Sequence, residues 1–175
     1  MIVLAGRPSM GKTALACNLA YNAAQADYET GGVDGGATVF FSLEMSASQL
    51  ANRVMSEFVK ISSHKLRVGD VEIDDFTKLI AAKKYMEKLP LYFDDTSGAT
   101  MPYIRSVCKK LKKEKNLKLV VIDYIGLMES SSKSNNRVEE ISKITRGIKA
   151  LAGELDIAII ALSQLNRGVE SRDNK

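Results

Sequence analysis

The 175-residue sequence has little of several residue types, and each shortage excludes a class of protein. Two cysteines and one histidine are too few for a disulfide-stapled secreted domain or a cysteine–histidine metal site. Cys17 and Cys108 lie on the apolar sides of predicted helices, so we expect buried free thiols. No apolar run approaches the roughly 18 residues that cross a bilayer, and no charged-then-apolar leader precedes the first strand. We therefore predict a cytoplasmic protein without a membrane segment.

The composition that is present is close to the soluble average, with a mild basic excess. Hydrophobic residues make up 45%, charged residues 26%, and the net charge is +4. A chain of this length suits one domain with a single core. The charge permits a polyanionic partner without identifying one. We interpret the single histidine, His64, as a partly exposed residue at a helix start rather than as a catalytic group.

Residues 6–13, Gly-Arg-Pro-Ser-Met-Gly-Lys-Thr, fit the pattern G-x-x-x-x-G-K-[ST] at every fixed position. The apolar run 2–5 before them suits a buried strand, and the alanine- and leucine-rich residues 13–24 suit a helix. Glycine lets the backbone approach an anion, and a helix N-terminus adds positive potential. This order predicts a phosphate-binding loop in which Lys12 reaches the β- and γ-phosphates and Thr13 holds Mg²⁺. The alternative is a chance glycine turn before a helix.

Five short apolar runs alternate with helical patterns along the chain. This alternation predicts an α/β fold with a mainly parallel sheet flanked by helices. Between these elements, the glycine-rich residues 27–36 predict a mobile surface loop, and residues 130–136 and 168–175 are polar and loop-like. The predicted strands are residues 2–5, 37–43, 91–93, 119–123 and 157–162.

Helix starts are predicted from capping residues. Ser46 with Gln49 has the form of a capping box, and Thr100 and Asn136 are further N-cap candidates. The lysine-rich face of the helix after Thr100 has two interpretations, a nucleic-acid contact or a solvated outer face, and the second is favoured.

Ligands of parallel α/β sheets bind at the carboxyl ends of the strands, where this sequence places chemically useful side chains. Asp123 closes the run Leu-Val-Val-Ile, a Walker B pattern, and is predicted to bind Mg²⁺ opposite Thr13. Glu44 follows the second strand as the candidate base that activates water, with a helix-capping role as the alternative. Gln164, after the fifth strand, is a candidate sensor of the γ-phosphate. We predict that these groups meet around one metal-bound triphosphate.

Four segments carry a family resemblance: residues 6–13, 41–45 (Phe-Ser-Leu-Glu-Met), 121–124 (Val-Ile-Asp-Tyr) and 161–167 (Ala-Leu-Ser-Gln-Leu-Asn-Arg). Together they resemble the C-terminal motor domain of bacterial replicative DNA helicases of the DnaB type, over almost the whole chain. The sequences Arg-Pro-Ser-Met and Ser-Gln-Leu-Asn-Arg are more specific than generic Walker motifs.

The resemblance implies a RecA-like P-loop NTPase fold and ATP hydrolysis with Mg²⁺. It also implies a homo-hexameric ring around single-stranded DNA, unwinding at the replication fork, primase and a helicase loader as partners, and a nucleoid-associated location in the cytoplasm. Carried over by position, it gives catalytic roles to Lys12, Glu44 and Gln164, and metal binding to Thr13 and Asp123. It gives cofactor binding to Gly6, Arg7, Pro8, Ser9, Met10, Gly11, Lys12, Thr13 and Asp123.

The chain also departs from the family pattern. Ile125-Gly126-Leu127 stands where the family often has a glutamine, which leaves a polar contact from that position in doubt. The family's motor domain continues past Lys175 with further strands, a basic DNA-binding loop and an arginine finger, and an N-terminal domain precedes it. We therefore interpret residues 1–175 as a partial motor domain, truncated on its C-terminal side.

An arginine finger is worth roughly 10³–10⁵ in rate, so we predict that the chain binds ATP but hydrolyses it poorly. Two alternative functions stay open, a RecA-like recombination or repair ATPase and a non-unwinding ATP-binding regulator. Ser-Gln-Leu-Asn-Arg together with Arg-Pro-Ser-Met favours the helicase over both.

Overall fold

The computed structural model describes residues 1–129 and 136–165. Residues 130–135 of the polar segment predicted at 130–136, and the whole of the one predicted at 168–175, lie outside the described residues, as do Asn166 and Arg167. Strands and helices alternate as predicted, and a short 3₁₀ turn, Ile125–Leu127, follows the fourth strand. The elements are β1 (Ile2–Gly6), α1 (Lys12–Thr30), β2 (Ala37–Ser42), α2 (Ala47–Val59), α3 (Ser63–Val68), α4 (Ile73–Met86), β3 (Leu91–Asp94), α5 (Met101–Lys115), β4 (Leu117–Asp123), α6 (Arg137–Leu155) and β5 (Ala158–Gln164).

The five strands form one parallel sheet in the order β1-β5-β4-β2-β3, which confirms the predicted α/β fold. The register aligns the strand ends on one edge of the sheet: Gly6 pairs with Gln164, and Ser42 pairs with Asp123. Because all strands run in the same direction, their carboxyl ends share this edge. The predicted site residues are thereby brought to one side of the molecule.

Helices cover both faces of the sheet, and the alternation of side chains along each strand supplies both cores. Along β2, Val39 and Phe41 pack with α5 and α6, whereas Phe40 packs with α1 and α2 on the opposite face. Both cysteines are buried and free, as predicted, and each lies in a different core, whereas the chain length had suggested a single core. Burial raises the pKa of Cys17 to about 11 and that of Cys108 to about 12, so both stay protonated near neutral pH.

The first strand is not buried, and that part of the prediction is wrong. Ile2 and Val3 are 64% and 50% exposed. The reason is position, because β1 forms one edge of the described sheet and has only β5 as a neighbour. A short apolar run predicts a strand, but it does not reveal whether that strand lies at the centre or at the edge.

The glycine-rich segment 27–36 also differs from the predicted mobile loop. Its first four residues belong to α1, and the remainder folds back on that helix. The backbone N–H of Gly36 donates to the carbonyl of Ala23 at 3.1 Å. Gly35 has a φ of +74°, and a Cβ there would lie 2.1 Å from the Ala23 oxygen. Only glycine fits this close turn.

The capping predictions are confirmed at the helix starts. The Ser46 hydroxyl accepts from the backbone N–H of Gln49, whose side chain accepts from Ser46 in return. Thr100 and Asn136 cap α5 and α6 through the backbone N–H groups of Tyr103 and Val138.

The positions of His64 and of the lysine-rich helix α5 agree with the non-catalytic interpretations favoured for them. His64 is exposed in the first turn of α3, as expected of a helix-start residue. On the lysine-rich helix α5, Lys109 pairs with Glu154 at 2.7 Å, and Lys112 donates to two backbone carbonyls. Among the described residues, the helices are all too short or too polar to span a bilayer.

Candidate nucleotide-binding site

The loop between β1 and α1 has the backbone shape that its glycine pattern predicts. Ser9 and Gly11 both adopt left-handed conformations, with φ of 62° and 82°. Gly11 is the N-cap of α1, where a positive φ favours a residue without a side chain. These two residues turn the chain from the end of β1 into the N-terminus of α1. A helix N-terminus reached in this way favours binding of an anion.

Lys12, the first residue of α1, lies along this loop. Its ammonium donates to the carbonyls of Gly6 and Arg7, the latter at 3.0 Å. A Cβ at Gly6 would stand 3.2 Å from the Lys12 side chain, so glycine at this position leaves room for the lysine. The positive charge is therefore held over the end of β1, next to the α1 N-terminus.

The next residue, Thr13, contacts the end of β4. Its hydroxyl donates to a carboxylate oxygen of Asp123 at 2.6 Å, although 110 residues separate the two in sequence. Asp123 is only 4% exposed. Burial raises the pKa of its carboxyl above the ordinary value near 3.8, and the Thr13 hydroxyl, Lys12 and Arg53 act in the opposite direction. An acidic group is thus held in a place that disfavours its charge unless a cation accompanies it.

The Thr13–Asp123 pair fits a magnesium ion. Both groups supply oxygen, the ligand that Mg²⁺ prefers, and their oxygens already lie within hydrogen-bonding distance. The part of the chain that the structure describes contains no group of three or more histidine, cysteine, aspartate or glutamate residues placed to hold a metal. A site with so few protein ligands suits Mg²⁺, which usually keeps waters and binds substrate phosphates as well.

Glu44 and Gln164 lie at the ends of the neighbouring strands, and both are exposed. Glu44 stands two residues beyond β2, on a turn joined to β4 by a bond from the Leu43 N–H to the Asp123 carbonyl at 2.7 Å. Gln164 is the last residue of β5 and pairs with Gly6. Each candidate therefore reaches the same edge of the sheet from a different strand.

These groups line one cleft of about 350 Å³. All the predicted site residues are in its wall except Gly6, whose carbonyl accepts a hydrogen bond from the Lys12 ammonium. Three cationic side chains and two carboxylates border the cleft, so its net charge favours an anionic ligand. The wall consists of Arg7, Pro8, Ser9, Met10, Gly11, Lys12, Thr13, Glu44, Arg53, Asp123, Tyr124 and Gln164.

Arg53 and Tyr124 line the cleft but were missed by the sequence reasoning. Arg53 is half-buried on α2, between the core residues Leu50 and Val54. Within the described ranges its guanidinium makes no hydrogen bond or ion pair, and its charge lowers the pKa of Asp123. Its position in the sequence could have identified it. The helix α2 starts directly after the Glu44 turn, and an arginine beside the buried stripe of that helix points toward the same strand ends.

The family described as DnaB-like helicase C terminal domain matches residues 1–175. The chain belongs to this family. Membership confirms the resemblance predicted from the four motifs.

Individual relatives of the DnaB-like family agree. The chain is 43% identical over 179 residues to the replicative DNA helicase DnaB of Rickettsia prowazekii (strain Madrid E), and the match covers the whole chain but 37% of that protein. Among solved structures, one described as an ATPase domain has a TM-score of 0.86 and 32% identity, covering 98% of this chain and 59% of that one.

A second solved structure, of a DnaB-like replicative helicase and its interactions with primase, has a TM-score of 0.82 and 30% identity. It covers 99% of this chain and 41% of that one. The predicted RecA-like fold of a DnaB-type ATPase domain is therefore confirmed.

Proposed function

We propose that this chain is the ATP-hydrolysing part of a replicative DNA helicase that translocates on single-stranded DNA and unwinds duplex at the replication fork. The observation that carries the proposal is the meeting of the phosphate-binding loop, the Thr13–Asp123 pair and Glu44 in one cleft. Membership in the DnaB-like family supports it. The chain spans 37% of the length of its DnaB relative, so translocation and unwinding are proposed for the whole protein that contains it.

The loop half of the cleft binds the triphosphate. The Lys12 ammonium exchanges its loop carbonyls for oxygens of the β- and γ-phosphates, while the α1 N-terminus and residues 6–11 surround the phosphates. Arg7 and Arg53 add positive charge to the wall. Thr13 and Asp123 hold Mg²⁺, which when bound neutralises charge on the β- and γ-oxygens.

The other half of the cleft performs the hydrolysis. Glu44 is exposed, so its carboxylate is accessible to water, and it accepts a proton as that water attacks the γ-phosphorus. The bond from the γ-phosphorus to the bridging oxygen breaks as the new bond forms, which releases ADP and inorganic phosphate. Gln164 contacts the γ-phosphate from the end of β5 and transmits its presence to the residues that follow. The two functions are carried by different elements of one cleft, since most binding groups lie on the loop, α1 and β4 and the base lies on the turn after β2.

The partners follow from the family. One of the similar solved structures is that of a DnaB-like replicative helicase and its interactions with primase, and we propose that the protein containing this chain also binds primase. We further propose a homo-hexamer around single-stranded DNA, loaded by a helicase loader, in the cytoplasm at the nucleoid. By the same resemblance, we propose that an arginine finger from a neighbouring subunit completes the site.

The test compares the full-length protein with the isolated 1–175 chain. The full-length protein is expected to hydrolyse ATP, to do so faster with single-stranded DNA, and to unwind a forked duplex. The isolated chain is expected to bind ATP and to turn it over roughly 10³–10⁵-fold more slowly, because no arginine finger completes its site. In both proteins, phosphate release measures ATP turnover and a nucleotide-binding assay measures ATP affinity.

Two results would contradict this assignment. Full ATP turnover by the isolated chain would show that its site is complete without a neighbour. ATP hydrolysis without unwinding by the full-length protein would favour the non-unwinding regulator.

A further inference from the structure

Glu44 lies on a turn that is held by neighbouring residues and not by the glutamate side chain. Glu44 lies between β2 and α2, and its carboxylate makes no hydrogen bond or ion pair to any residue in the ranges 1–129 and 136–165. Its position therefore depends on the backbone of residues 43–45. A general base acts only when it is within hydrogen-bonding distance of the proton that it removes, so the shape of this turn matters for the rate.

A buried hydroxyl closes the turn. Ser42, the last residue of β2, is 2% exposed. Its Oγ donates to the carbonyl of Met45 at 2.6 Å and accepts from the N–H of the same residue at 3.2 Å. One side chain thus joins the start of the turn to its end, with Glu44 between them.

The turn is also joined to its surroundings at both ends. At its start, the Leu43 N–H donates to the carbonyl of Asp123 at 2.7 Å, which ties it to the metal-binding strand. At its end, a carboxylate oxygen of Asp95, just beyond β3, accepts from the N–H of Ala47 at 2.8 Å. Ser42 is the only one of these groups that spans the turn itself, among the contacts described.

We propose that Ser42 is a positioning residue for Glu44, holding the turn so that the carboxylate faces the water that attacks the γ-phosphate. The inference rests on the proposed role of Glu44 as the base. A second buried hydroxyl on the same strand provides the contrast. Thr38 is 0% exposed and donates to the carbonyl of Gly36 at 3.0 Å, at the end of β2 remote from the cleft.

The experiment is Ser42→Ala in the full-length protein, with Thr38→Val as the matched control. Ser42→Ala is expected to lower kcat about 10-fold while ATP affinity and KM stay within about 2-fold, because the phosphate-binding groups are not on this turn. Thr38→Val removes an equally buried hydroxyl and is expected to leave kcat unchanged. A Ser42→Ala protein with wild-type kcat, or with ATP affinity lowered as much as kcat, would overturn the proposal.

A double-mutant cycle separates positioning from general loosening of the fold. In the E44Q background, Ser42→Ala is expected to change turnover less than about 2-fold, because the group it positions is already gone. The same loss in both backgrounds would reject the proposal. If E44Q alone leaves turnover normal, the role of Glu44 itself fails, which is a distinct result.

A second variant covers the case in which Ser42→Ala does not fold. Asp95→Ala removes an exposed residue and loosens the same turn from its other end. It is expected to lower kcat about 3-fold with Glu44 present and to have no effect with E44Q. An equal loss in both backgrounds, or no loss in either, would count against a turn that positions the base.

Discussion

The two carboxylates of the cleft are held in opposite ways. Asp123 is buried within β4, and its oxygen is bonded to Thr13. Glu44 is exposed on a turn that the Ser42 hydroxyl and the Leu43 N–H hold through bonds to backbone groups of Met45 and Asp123. A metal ligand must keep its geometry before and after the reaction, whereas a base must reach water. On the roles proposed for these two residues, nucleotide binding belongs to one half of the cleft, on β1, α1 and β4, and hydrolysis to the other half, on the turn after β2.

The largest expected effect comes from the binding half. Lys12→Ala is expected to abolish detectable ATP binding while the fold stays intact, because the cation nearest the α1 N-terminus is lost and the core is untouched. Binding of a fluorescent ATP analogue measures this, and circular dichroism checks the fold. Lys113→Ala, which removes an exposed lysine on α5, is the control and is expected to bind normally. Unchanged affinity in Lys12→Ala would dismiss the phosphate-loop assignment.

A smaller effect is expected from the turn half. Glu44→Gln in the full-length protein is expected to preserve ATP binding and to lower turnover at least about 100-fold, the usual size of a positioned general base. Glu57→Gln is the control, since Glu57 is an exposed carboxylate on α2 that pairs with Lys60 outside the cleft. If Glu44→Gln instead weakens ATP binding, the separation of the two halves is broken. Normal turnover would reject the role of Glu44 as the base, and the alternative of capping α2 is already filled by Ser46.

The weakest of the three expected effects is on stability, and it concerns how the buried Asp123 makes the free energy of unfolding depend on pH. Burial raises the pKa of Asp123, so the folded state holds its proton more tightly than the unfolded state does. Between the two pKa values stability therefore falls as pH rises, and above the folded-state pKa the ionised carboxylate destabilises the fold in full. Asp123→Asn is expected to raise the urea midpoint at neutral pH, with the gain shrinking as pH falls below the folded-state pKa.

The control for this series is Asp70→Asn, which changes an exposed carboxylate. Its midpoint is expected to stay within the small range of surface substitutions at both neutral and acidic pH. A gain in Asp123→Asn that is equal at neutral pH and at a pH below the ordinary aspartate pKa would show that ionisation of this carboxyl does not destabilise the fold.

Much of the fold was predictable because its signals are local. The loop at residues 6–13, the capping box at Ser46 and the apolar run ending at Asp123 each depend on neighbouring residues, and all three were found where expected. Burial was less predictable. The apolar run of β1 lies at an exposed edge because the order of the strands, which involves distant residues, leaves it with one neighbour. The glycine-rich segment packs on α1 because its left-handed glycines turn the chain back on the helix, which composition alone does not reveal.

The candidate site shows the same division. Lys12, Thr13, Glu44, Asp123 and Gln164 were identified from motifs and meet in one cleft. Arg53 and Tyr124 carry no motif of their own and were missed. The role of Ser42 was equally hidden, since its two bonds to Met45 require the strand to end and the turn to close at that residue.

The phosphate-binding loop, the order of strands and helices, and membership in the DnaB-like helicase family can be read along the chain, because they depend on residue type and spacing. The position of the edge strand, the bond between Thr13 and Asp123 across 110 residues, and the support of the Glu44 turn appear only in the folded molecule. Those features arise from strand order and register, which bring distant residues together through hydrogen bonds that no local pattern encodes.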